Sequence, residues 1–556
     1  MRIIVICFFT LASISLVAQE RLKKVEFYGT AKTNVLHQSY DVEGDTSAIT
    51  QANYGHSLID LGIVLRPSAS TEVATELRIR NELGGFWGGA VSYGIRRLTL
   101  KGVVNDAIRY KIGDLDLEMT PYTLYNNSYQ DVVNEATVFQ MARELIDYEY
   151  YFTGNAWRQQ GIQSDFGFDL NNETFKALDF TLFSVRNRVS DANSVTPERL
   201  FTGGQMALTS SYGSLTYHSA NLHDLKNTVN DVNLYYNSVN SLSASIQLPD
   251  VPNFSLDYEG GTSKANYDNL LANEQTVIKD YYWNVGLFYK ANDHLKFRVN
   301  AINTGPQFRS PAAQTVRLGY SSSSNVFPTI GNDFMVRKMG LLDYLYNDVM
   351  YNRTFDNKLD AYNPAFSNAL PYGLATPNRK GISISLDEYS IDDKLTLSSD
   401  LHFLSEIIGS GTTNLKSFVK AVAKANYHYK KWSVNAGLTH ESTARDGASY
   451  EAIDLSSMLI DFGLDYNISG NISLLFGAKH HTANGNELMA IYDQYNNPLV
   501  FEPVSFNDNV QSIYSFGCLV QFSERSTLTA SASTFSQIDE RDYSLNQFQI
   551  LYRLNF

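Results

Sequence analysis

Histidine, serine and carboxylate side chains are the groups in this chain that could carry catalysis or bind a metal ion. His480 and His481 are adjacent, so in an extended strand they point to opposite faces and cannot chelate one metal ion together. His402, His428 and His440 lie in separate stretches, and there is no G-x-S-x-G motif and no Ser/His or Asp/His pair that marks a nucleophile with its base. We therefore expect no catalytic residue, no metal site and no cofactor, and we expect that the protein is not an enzyme.

The acidic stretch DVEGDT, residues 41–46, is the best candidate for a cation site. Asp41, Glu43 and Asp45 alternate along it, and their carboxylates could hold Ca²⁺ loosely. The distal bidentate glutamate of a strong calcium loop is missing. A solvated acidic loop is therefore the favoured interpretation.

Charged residues alternate with apolar residues in two other stretches, TEVATELRIR (71–80) and FVKAVAKANYHYK (418–430). In an extended strand, such alternation gives one charged face and one apolar face. A Lys or Arg that faced lipid at mid-membrane would cost about 2–4 kcal/mol, so in a membrane barrel these faces should point inward. The residues that we predict to line the interior are Glu72, Glu76, Arg78, Arg80, Lys420 and Lys424.

The elements that would position these residues are strands, because alternation with period two recurs along the whole chain. Short connections, such as 212–214, 249–252 and 468–470, take turns with long ones, such as 265–278 and 483–509. A soluble β-sandwich also alternates, but it predicts neither this order of connections nor strands of about 9–11 residues. The sequence predicts a single closed antiparallel transmembrane β-barrel of about 22 strands, within a range of 18–24, with short periplasmic turns and long extracellular loops.

The two longest predicted loops are 117–156 and 305–380. A barrel of this size encloses more space than inward side chains fill, so we expect one or both loops to reach inside. The stretch VFQMAREL (138–145) has apolar residues at helical spacing behind a possible cap at Asp131. The lumen is then either a water-filled path for solutes or a space filled by loops, which ion pairs with inward residues hold in place.

Loop 305–380 has more basic than acidic residues in a chain whose net charge is −14. Arg309 and Arg317 are its best candidates for contact with an anionic solute, because the guanidinium binds carboxylate or phosphate in a forked geometry. The alternative is a folded extracellular cap with ordinary surface charge. The negative net charge argues against a nucleic-acid partner.

The first residues, MRIIVICFFTLASISLVAQE, have a basic residue, an apolar stretch and a small residue before Gln19. This pattern predicts a signal peptide over residues 1–18, with residues 19–556 as the barrel. A transmembrane anchor is the alternative, but the apolar stretch is short for a hydrocarbon core of about 30 Å. Cys7 lies too early for a lipoprotein signal, and only Cys518 follows it, so no disulfide framework is expected.

The last residues, QFQILYRLNF, carry apolar side chains at alternate positions up to the final Phe556. The ending LYRLNF resembles the C-terminal strand of bacterial outer-membrane β-barrel (porin-like) proteins, and the resemblance extends over the whole chain after the signal peptide. The Ala-Gln start and the many Tyr and Asn residues look like barrels of Bacteroidota-type bacteria. The resemblance implies a place in the cell outer membrane, contact with its lipid, and recognition of the strand ending in Phe556 by the barrel-assembly machinery.

Two functions compete for such a barrel. The favoured one is a porin-like outer-membrane channel for the passage of small solutes. The alternative is a barrel that acts as a binding or assembly component for an exported or surface partner, and a barrel enzyme is the least favoured. The sequence has neither an N-terminal plug with a coupling box nor a coiled-coil domain, which would have favoured energised uptake or efflux.

Overall fold

The computed structural model describes residues 24–44, 51–84, 91–125, 135–150, 159–189, 197–226, 232–247, 251, 253–292, 295–314, 341–345, 359, 362–391, 394–492, 498–538 and 542–556. The predicted signal peptide, Asp131 and Arg317 lie outside these residues, so the structure does not test the predictions made for them. In the described part, the regular structure consists of 22 strands, the α-helix α1 (Thr137–Tyr150) and a short 3-10 helix (Leu342–Tyr344). No helix among these residues is long and apolar enough to cross a membrane.

The strands have the following bounds: β1 Val25–Val42, β2 Gln51–Ser68, β3 Thr71–Glu82, β4 Val91–Val104, β5 Ile108–Leu115, β6 Gln159–Asp169, β7 Phe175–Arg188, β8 Glu198–Ser210, β9 Gly213–Leu225, β10 Asn233–Gln247, β11 Phe254–Asn269, β12 Glu274–Asn292, β13 Leu295–Thr304, β14 Arg379–Ile391, β15 Leu395–Ser405, β16 Ser417–Tyr429, β17 Trp432–Arg445, β18 Ile453–Ser469, β19 Ile472–Tyr492, β20 Pro498–Ser523, β21 Ser526–Ile538 and β22 Tyr543–Asn555.

These strands form one closed antiparallel barrel. Each strand pairs with the strands before and after it in the chain, and β1 pairs with β22 in a continuous register from Thr30↔Asn555 to Val42↔Tyr543. Closure leaves no sheet edge, which is what a sheet in lipid requires because lipid offers no hydrogen-bond partners. The predicted closed barrel of about 22 strands is confirmed.

Apolar side chains cover the outside of the barrel, and charged side chains lie inside it. Phe27, Ile59 and Leu77 project outward from neighbouring strands and are 55%, 45% and 38% exposed. Lys32 and Asp60, at inward positions of β1 and β2, are almost completely buried. Apolar outside and charged inside is the distribution expected of a barrel surrounded by lipid.

The two ends of the barrel differ in their connections. One end has tight turns, such as those at 211–212 and 470–471, and β22 also finishes there. We call it the turn end, and we call the opposite end, where β5 connects to β6 and β13 to β14, the loop end. The predicted alternation of short and long connections is therefore present over most of the barrel.

The predictions of long loops at 265–278 and at 483–509 are wrong. β11 and β12 are joined by a tight turn in which the Asn269 side chain accepts a hydrogen bond from the backbone N–H of Leu271 at 3.1 Å. β19 and β20 stay paired as far as Tyr492↔Pro498. The prediction failed because strand pairing continues past the apolar belt, where outward side chains are free to be polar.

Five segments of the described part of the chain pack inside the barrel against the inward faces of the strands: 116–125, α1, 305–314, 341–345 and 362–378. Tyr122 and Phe308 are fully buried in a cluster with inward residues of β5 to β12. Phe139 of α1 is buried with residues of β19 to β22, and Ala369 is buried with residues of β13, β15 and β16. The described parts of both predicted luminal loops thus reach into the barrel.

Candidate functional site

The start of α1 is fixed to the barrel wall by a buried ion-pair cluster around Glu135. The Glu135 carboxylate lies 2.8 Å from Lys479 Nζ, accepts hydrogen bonds from Arg143 at 2.8 and 3.0 Å, and accepts one from the Tyr344 hydroxyl. Lys479 Nζ also donates to Asp461 at 2.7 Å. Burial opposes ionisation of Glu135, but Lys479 and Arg143 outweigh it and hold the pKa of Glu135 below its usual value. The cluster therefore joins α1 to β18 and β19 through charge-assisted contacts.

Two glycines on the wall let α1 approach closely. A Cβ atom added at Gly477 would lie 2.7 Å from the side chains of Val138 and Phe139. At Gly463 it would lie 2.7 Å from the Ala136 side chain. Real Cβ contacts are not this short, so these two inward positions need glycine for the helix to dock as it does.

The end of α1 is fixed to β2, β3 and β4 through Tyr148 and Glu149. The Tyr148 hydroxyl donates to Asp60 at 2.5 Å, and Arg78 and Arg96 donate to the same carboxylate at 2.8 and 2.6 Å. Arg78 also donates to the backbone carbonyls of Tyr148 at 3.0 Å and Glu149 at 2.5 Å. Burial, together with the Asp60 carboxylate, raises the pKa of Tyr148 to about 12. The helix thus joins two separate regions of the wall.

Further cations surround the same helix end. Lys32 of β1 lies 3.6 Å above the centre of the Tyr148 ring, within the range of a cation–π interaction. Glu149 lies 3.0 Å from His56 and 3.5 Å from Arg80. Burial opposes ionisation of Glu149, but His56, Lys32 and Arg80 outweigh it and lower its pKa. Both ends of α1 are therefore held by carboxylates among fixed cations.

The four predicted lining residues of β3 all face inward, but each is engaged in ion pairs. Glu72 lies 2.9 Å from Lys101, Glu76 lies 3.2 Å from Arg96, and Arg80 lies 2.6 Å from Glu82. Arg78 is held by Asp60 and by α1, as described above. Contact with a solute stays a prediction for these residues, and Arg78 and Glu76 serve first to support the helix end.

A second luminal layer forms where segments 116–125 and 305–314 meet β5 to β12. The Tyr122 ring stacks on the Tyr282 ring with centroids 4.2 Å apart. Glu259 of β11 accepts hydrogen bonds from Thr120 and from Tyr282, each at 2.6 Å. These contacts fix segment 116–125 to the wall.

Arg309 lies within this layer and is only 5% exposed. Its backbone N–H donates to the Ser263 hydroxyl at 3.1 Å, its backbone carbonyl accepts from the Asn237 side chain at 3.0 Å, and its guanidinium donates to the Phe308 carbonyl at 3.0 Å. Among the described residues no carboxylate pairs with the guanidinium, whereas the neighbouring Arg199 pairs with Asp224 at 2.6 Å. Arg309 was predicted to meet an anionic solute, and that role stays a prediction.

Segment 362–378 forms a third luminal layer on β14 to β19. The backbone N–H of Asn368 donates to Glu441 at 2.9 Å, and its side chain donates to Glu487. Lys416 pairs with Glu487 at 2.6 Å, and the predicted lining residue Lys420 pairs with Glu441 at 3.2 Å. Lys420 is therefore almost buried and supports this segment through Glu441.

Lys424, the other predicted lining residue of β16, lies nearer the turn end. It faces Asp461 across Gly437, and both side chains approach the space above that glycine. Its contact with solutes stays a prediction.

Sequence reasoning missed Lys32, Asp60, Glu135 and Lys479, which hold the luminal helix. Asp60 had a usable signal, because it is a single carboxylate within the apolar run SLIDLGIVL. A charge at an inward position between lipid-facing residues needs a partner inside the barrel. The sequence could not show that the partner was the end of a loop helix about 90 positions away in the chain.

Water reaches the inner wall at the turn end. Asp179, Arg298 and His428 occupy inward positions of β7, β13 and β16 and are exposed. Segments 116–125, 305–314 and 362–378 bury apolar residues of the wall nearer the loop end, such as Phe201 and Tyr267, whereas α1 starts against Asp465 and Leu475, nearer the turn end. The described part of the lumen therefore combines a wet, charged vestibule with a narrower region lined by packed segments.

The structure brings together no metal site in the part of the chain that it describes. No three His, Cys, Asp or Glu side chains among these residues are placed to hold a metal ion. In the acidic stretch 41–46, Asp41 lies at the end of β1 and Glu43 just beyond it, while Asp45 is outside the described residues.

Comparison with known proteins finds similarity only to solved structures. No protein-family model matches the chain, and no curated protein matches it. The FrpB iron transporter from Neisseria meningitidis is 9% identical with a TM-score of 0.45, covering 97% of this chain and 83% of that chain. OpdQ from Pseudomonas aeruginosa is 10% identical with a TM-score of 0.35 (96% and 99% covered), and a BenF-like porin from Pseudomonas fluorescens Pf-5 is 10% identical with a TM-score of 0.33 (96% and 100% covered). At these values the similarity adds nothing to the functional argument.

Proposed function

We propose that the protein is a porin-like channel of the bacterial outer membrane through which small solutes pass, and that α1 and segments 116–125, 305–314 and 362–378 narrow its lumen. The observation that carries the proposal is the exposed charge on the inner wall at the turn end. A barrel built only to present loops has no need for a vestibule with exposed inward residues such as Asp179 and Arg298. A solute path does, because ions and polar solutes cross lipid only where water and polar groups line the way.

The outer-membrane location belongs to the same proposal. Its support is the closed barrel with an apolar exterior. Closure gives the backbone N–H and C=O groups of every strand a hydrogen-bond partner within the sheet, which lipid cannot supply. The turn end then faces the periplasm and the loop end the outside, as is usual for such barrels. Export by a signal peptide over residues 1–18 completes the proposal.

Planar lipid bilayers provide the test. The purified wild-type protein should give a stable ohmic current. Lys479→Met should give a larger and noisier current, because it leaves buried Asp461 without its ion-pair partner and Glu135 with Arg143 as its remaining cation. Loss of a buried ion-pair partner costs about 3–5 kcal/mol, which should release the start of α1. Lys431→Met removes a positive charge from an exposed turn and is the matched control.

Three outcomes separate the competing functions. Current in the wild type that increases in Lys479→Met but not in Lys431→Met supports a channel narrowed by α1. Silence in the wild type with current in Lys479→Met indicates a channel that opens only when α1 moves. The proposal is overturned if neither the wild type nor Lys479→Met gives a current although heat-modifiable mobility shows that all three proteins are folded. The favoured function is then a barrel that binds or assembles an exported or surface partner.

A further inference from the structure

A groove lies on the lipid-facing surface of the barrel, across β12 to β16. Its volume is about 710 Å³. The outward residues Trp283, Ile382, Phe403 and Val419 supply most of its apolar wall, and it is open to the side on which lipid lies. Small outward residues, Ser405 and Ser417, leave the space between these larger side chains. The shape and the apolar lining of the groove therefore suit the binding of an acyl chain.

The groove ends in a basic rim. Lys380 lines it and belongs to the row of paired residues Trp283↔Asn303↔Lys380, one outward position closer to the loop end than Ile382. Ser405 and Ser417 continue this row. The loop-end side of the groove is thus polar and positively charged, and the rest is apolar.

Two more lysines extend the rim on the adjoining strands. Lys264 of β11 and Lys279 of β12 are directly opposite each other in register, and both face outward and are exposed. Like charges in directly opposite positions of an antiparallel pair destabilise it. Lys279 is four residues beyond Trp283, about 13 Å along the strand, and two strands, about 10 Å, from Lys380.

The three lysines differ from the other outward cation at this end. Arg186 of β7 pairs with Glu198 at 2.7 Å. In the described part of the chain, no carboxylate pairs with Lys264, Lys279 or Lys380, and the nearby outward Asp268 accepts a hydrogen bond from Gln275 instead. The outward positions near the loop end of the other described strands carry no Lys or Arg, so the basic rim is confined to the strands beside the groove.

We propose that this surface binds a lipid with more than one phosphate, in the leaflet at the loop end of the barrel. One acyl chain occupies the groove between Trp283, Ile382, Phe403 and Val419. One phosphate meets Lys380 at its rim, and another meets the Lys264–Lys279 pair and removes their mutual repulsion. The spacing of the two cationic points suits a headgroup with separated phosphates better than a single phosphate.

The test uses the full chain in detergent micelles, titrated with cardiolipin, which has two phosphates, or with phosphatidylcholine of the same acyl chains. Bound lipid is counted by native mass spectrometry. Wild type should retain cardiolipin in preference to phosphatidylcholine. Because each lysine near a membrane surface strengthens binding of anionic lipid about fivefold, the triple variant Lys264→Gln, Lys279→Gln, Lys380→Gln should bind cardiolipin roughly 100-fold more weakly.

Two further variants keep the proposal falsifiable. Lys176→Gln, Lys394→Gln, Lys430→Gln makes the same change in charge at the turn end and should bind cardiolipin as the wild type does. Val419→Trp fills the groove without changing charge and should also weaken binding. If the triple variant does not fold, two single variants replace the triple ones. Lys380→Gln should then bind cardiolipin more weakly than Lys394→Gln does.

The proposal is overturned by equal losses in the two triple variants, by equal retention of the two lipids in wild type, or by unchanged binding in Val419→Trp. Displacement of cardiolipin by inorganic phosphate at similar concentrations also overturns it, because the site would then be one for free phosphate. None of these outcomes depends on current through the barrel, so this inference can fail while the channel proposal stands.

Discussion

Glu135 shows how single residues control the lumen. Its carboxylate is buried at the start of α1 and meets Lys479 from β19, Arg143 from the helix itself and the Tyr344 hydroxyl from the 3-10 helix. Asp461 of β18 faces the same cluster through Lys479. Removing the charge of Glu135 leaves Lys479 and Arg143 with less compensation in a dry site, so the docking of α1 depends on this ionisation.

Acid should release the start of α1. Docking lowers the pKa of Glu135, so below the ordinary carboxyl pKa of about 4.3 the docked state binds fewer protons than the released one. The contribution of Glu135 to docking is therefore complete at neutral pH and is lost as pH falls through its lowered pKa. We expect a rise in single-channel conductance on acidification to below about pH 4, through the lowered pKa of Glu135, that is absent in Glu135→Gln. The same rise in that variant would assign the effect to other groups.

At the scale of elements, α1 is the part whose position the sequence predicted least completely. The helical spacing of Val138, Met141 and Leu145 correctly indicated a helix, because burial of one apolar stripe imposes that period. The expected cap at Asp131 lies outside the described residues, and the helix begins at Thr137, whose hydroxyl donates to Asp465 of β18 at 2.5 Å. A local pattern predicts the helix, but the strand residues that bind its start are more than 300 positions away in the chain.

Gly477→Ala tests the close approach of α1. The new Cβ would lie 2.7 Å from Val138 and Phe139, and an overpacked contact of this kind costs about 1–3 kcal/mol. We expect weaker docking of α1, measured as a higher conductance with the same heat-modifiable folded barrel. At Gly470, in the turn between β18 and β19, an added Cβ would meet nothing within 4 Å, so Gly470→Ala should behave as wild type. Equal conductance in the two variants would show that α1 does not narrow the path.

At the scale of the whole molecule, strand number and closure could be predicted because lipid imposes one rule on every strand. Outward residues must be apolar across the belt, so alternation is visible in stretches such as SMLIDFGLDYN (457–467). That rule ends where the strands leave the apolar belt, so the sequence pattern predicts a loop where the long β19–β20 hairpin lies. It also gives no information about the lumen. Which inward charges pair with which luminal segment depends on three-dimensional register, as the contact of Asn368 with Glu441 shows.

The last strand closes the barrel through Phe556. Its backbone N–H donates to the Gly29 carbonyl, its carbonyl accepts from the Gly29 N–H, both at 2.9 Å, and its ring lies against Gly29, where an added Cβ would be 2.5 Å away. Phe556 can therefore act in two ways, by packing on β1 or, as the resemblance of the terminal strand implies, as a residue that the assembly machinery recognises.

Two variants distinguish packing from recognition. Phe556→Asp should lower the amount of heat-modifiable folded barrel in the outer membrane under either role. Gly29→Val would place its Cβ 2.5 Å from both the Phe556 ring and the backbone carbonyl oxygen of Asp60, so it should lower folding in cells and in lipid vesicles alike and serves as the packing control. If Phe556→Asp fails in cells and yet refolds normally in lipid vesicles without other proteins, the terminal phenylalanine acts through recognition. Wild-type levels of folded Phe556→Asp in cells would contradict both roles.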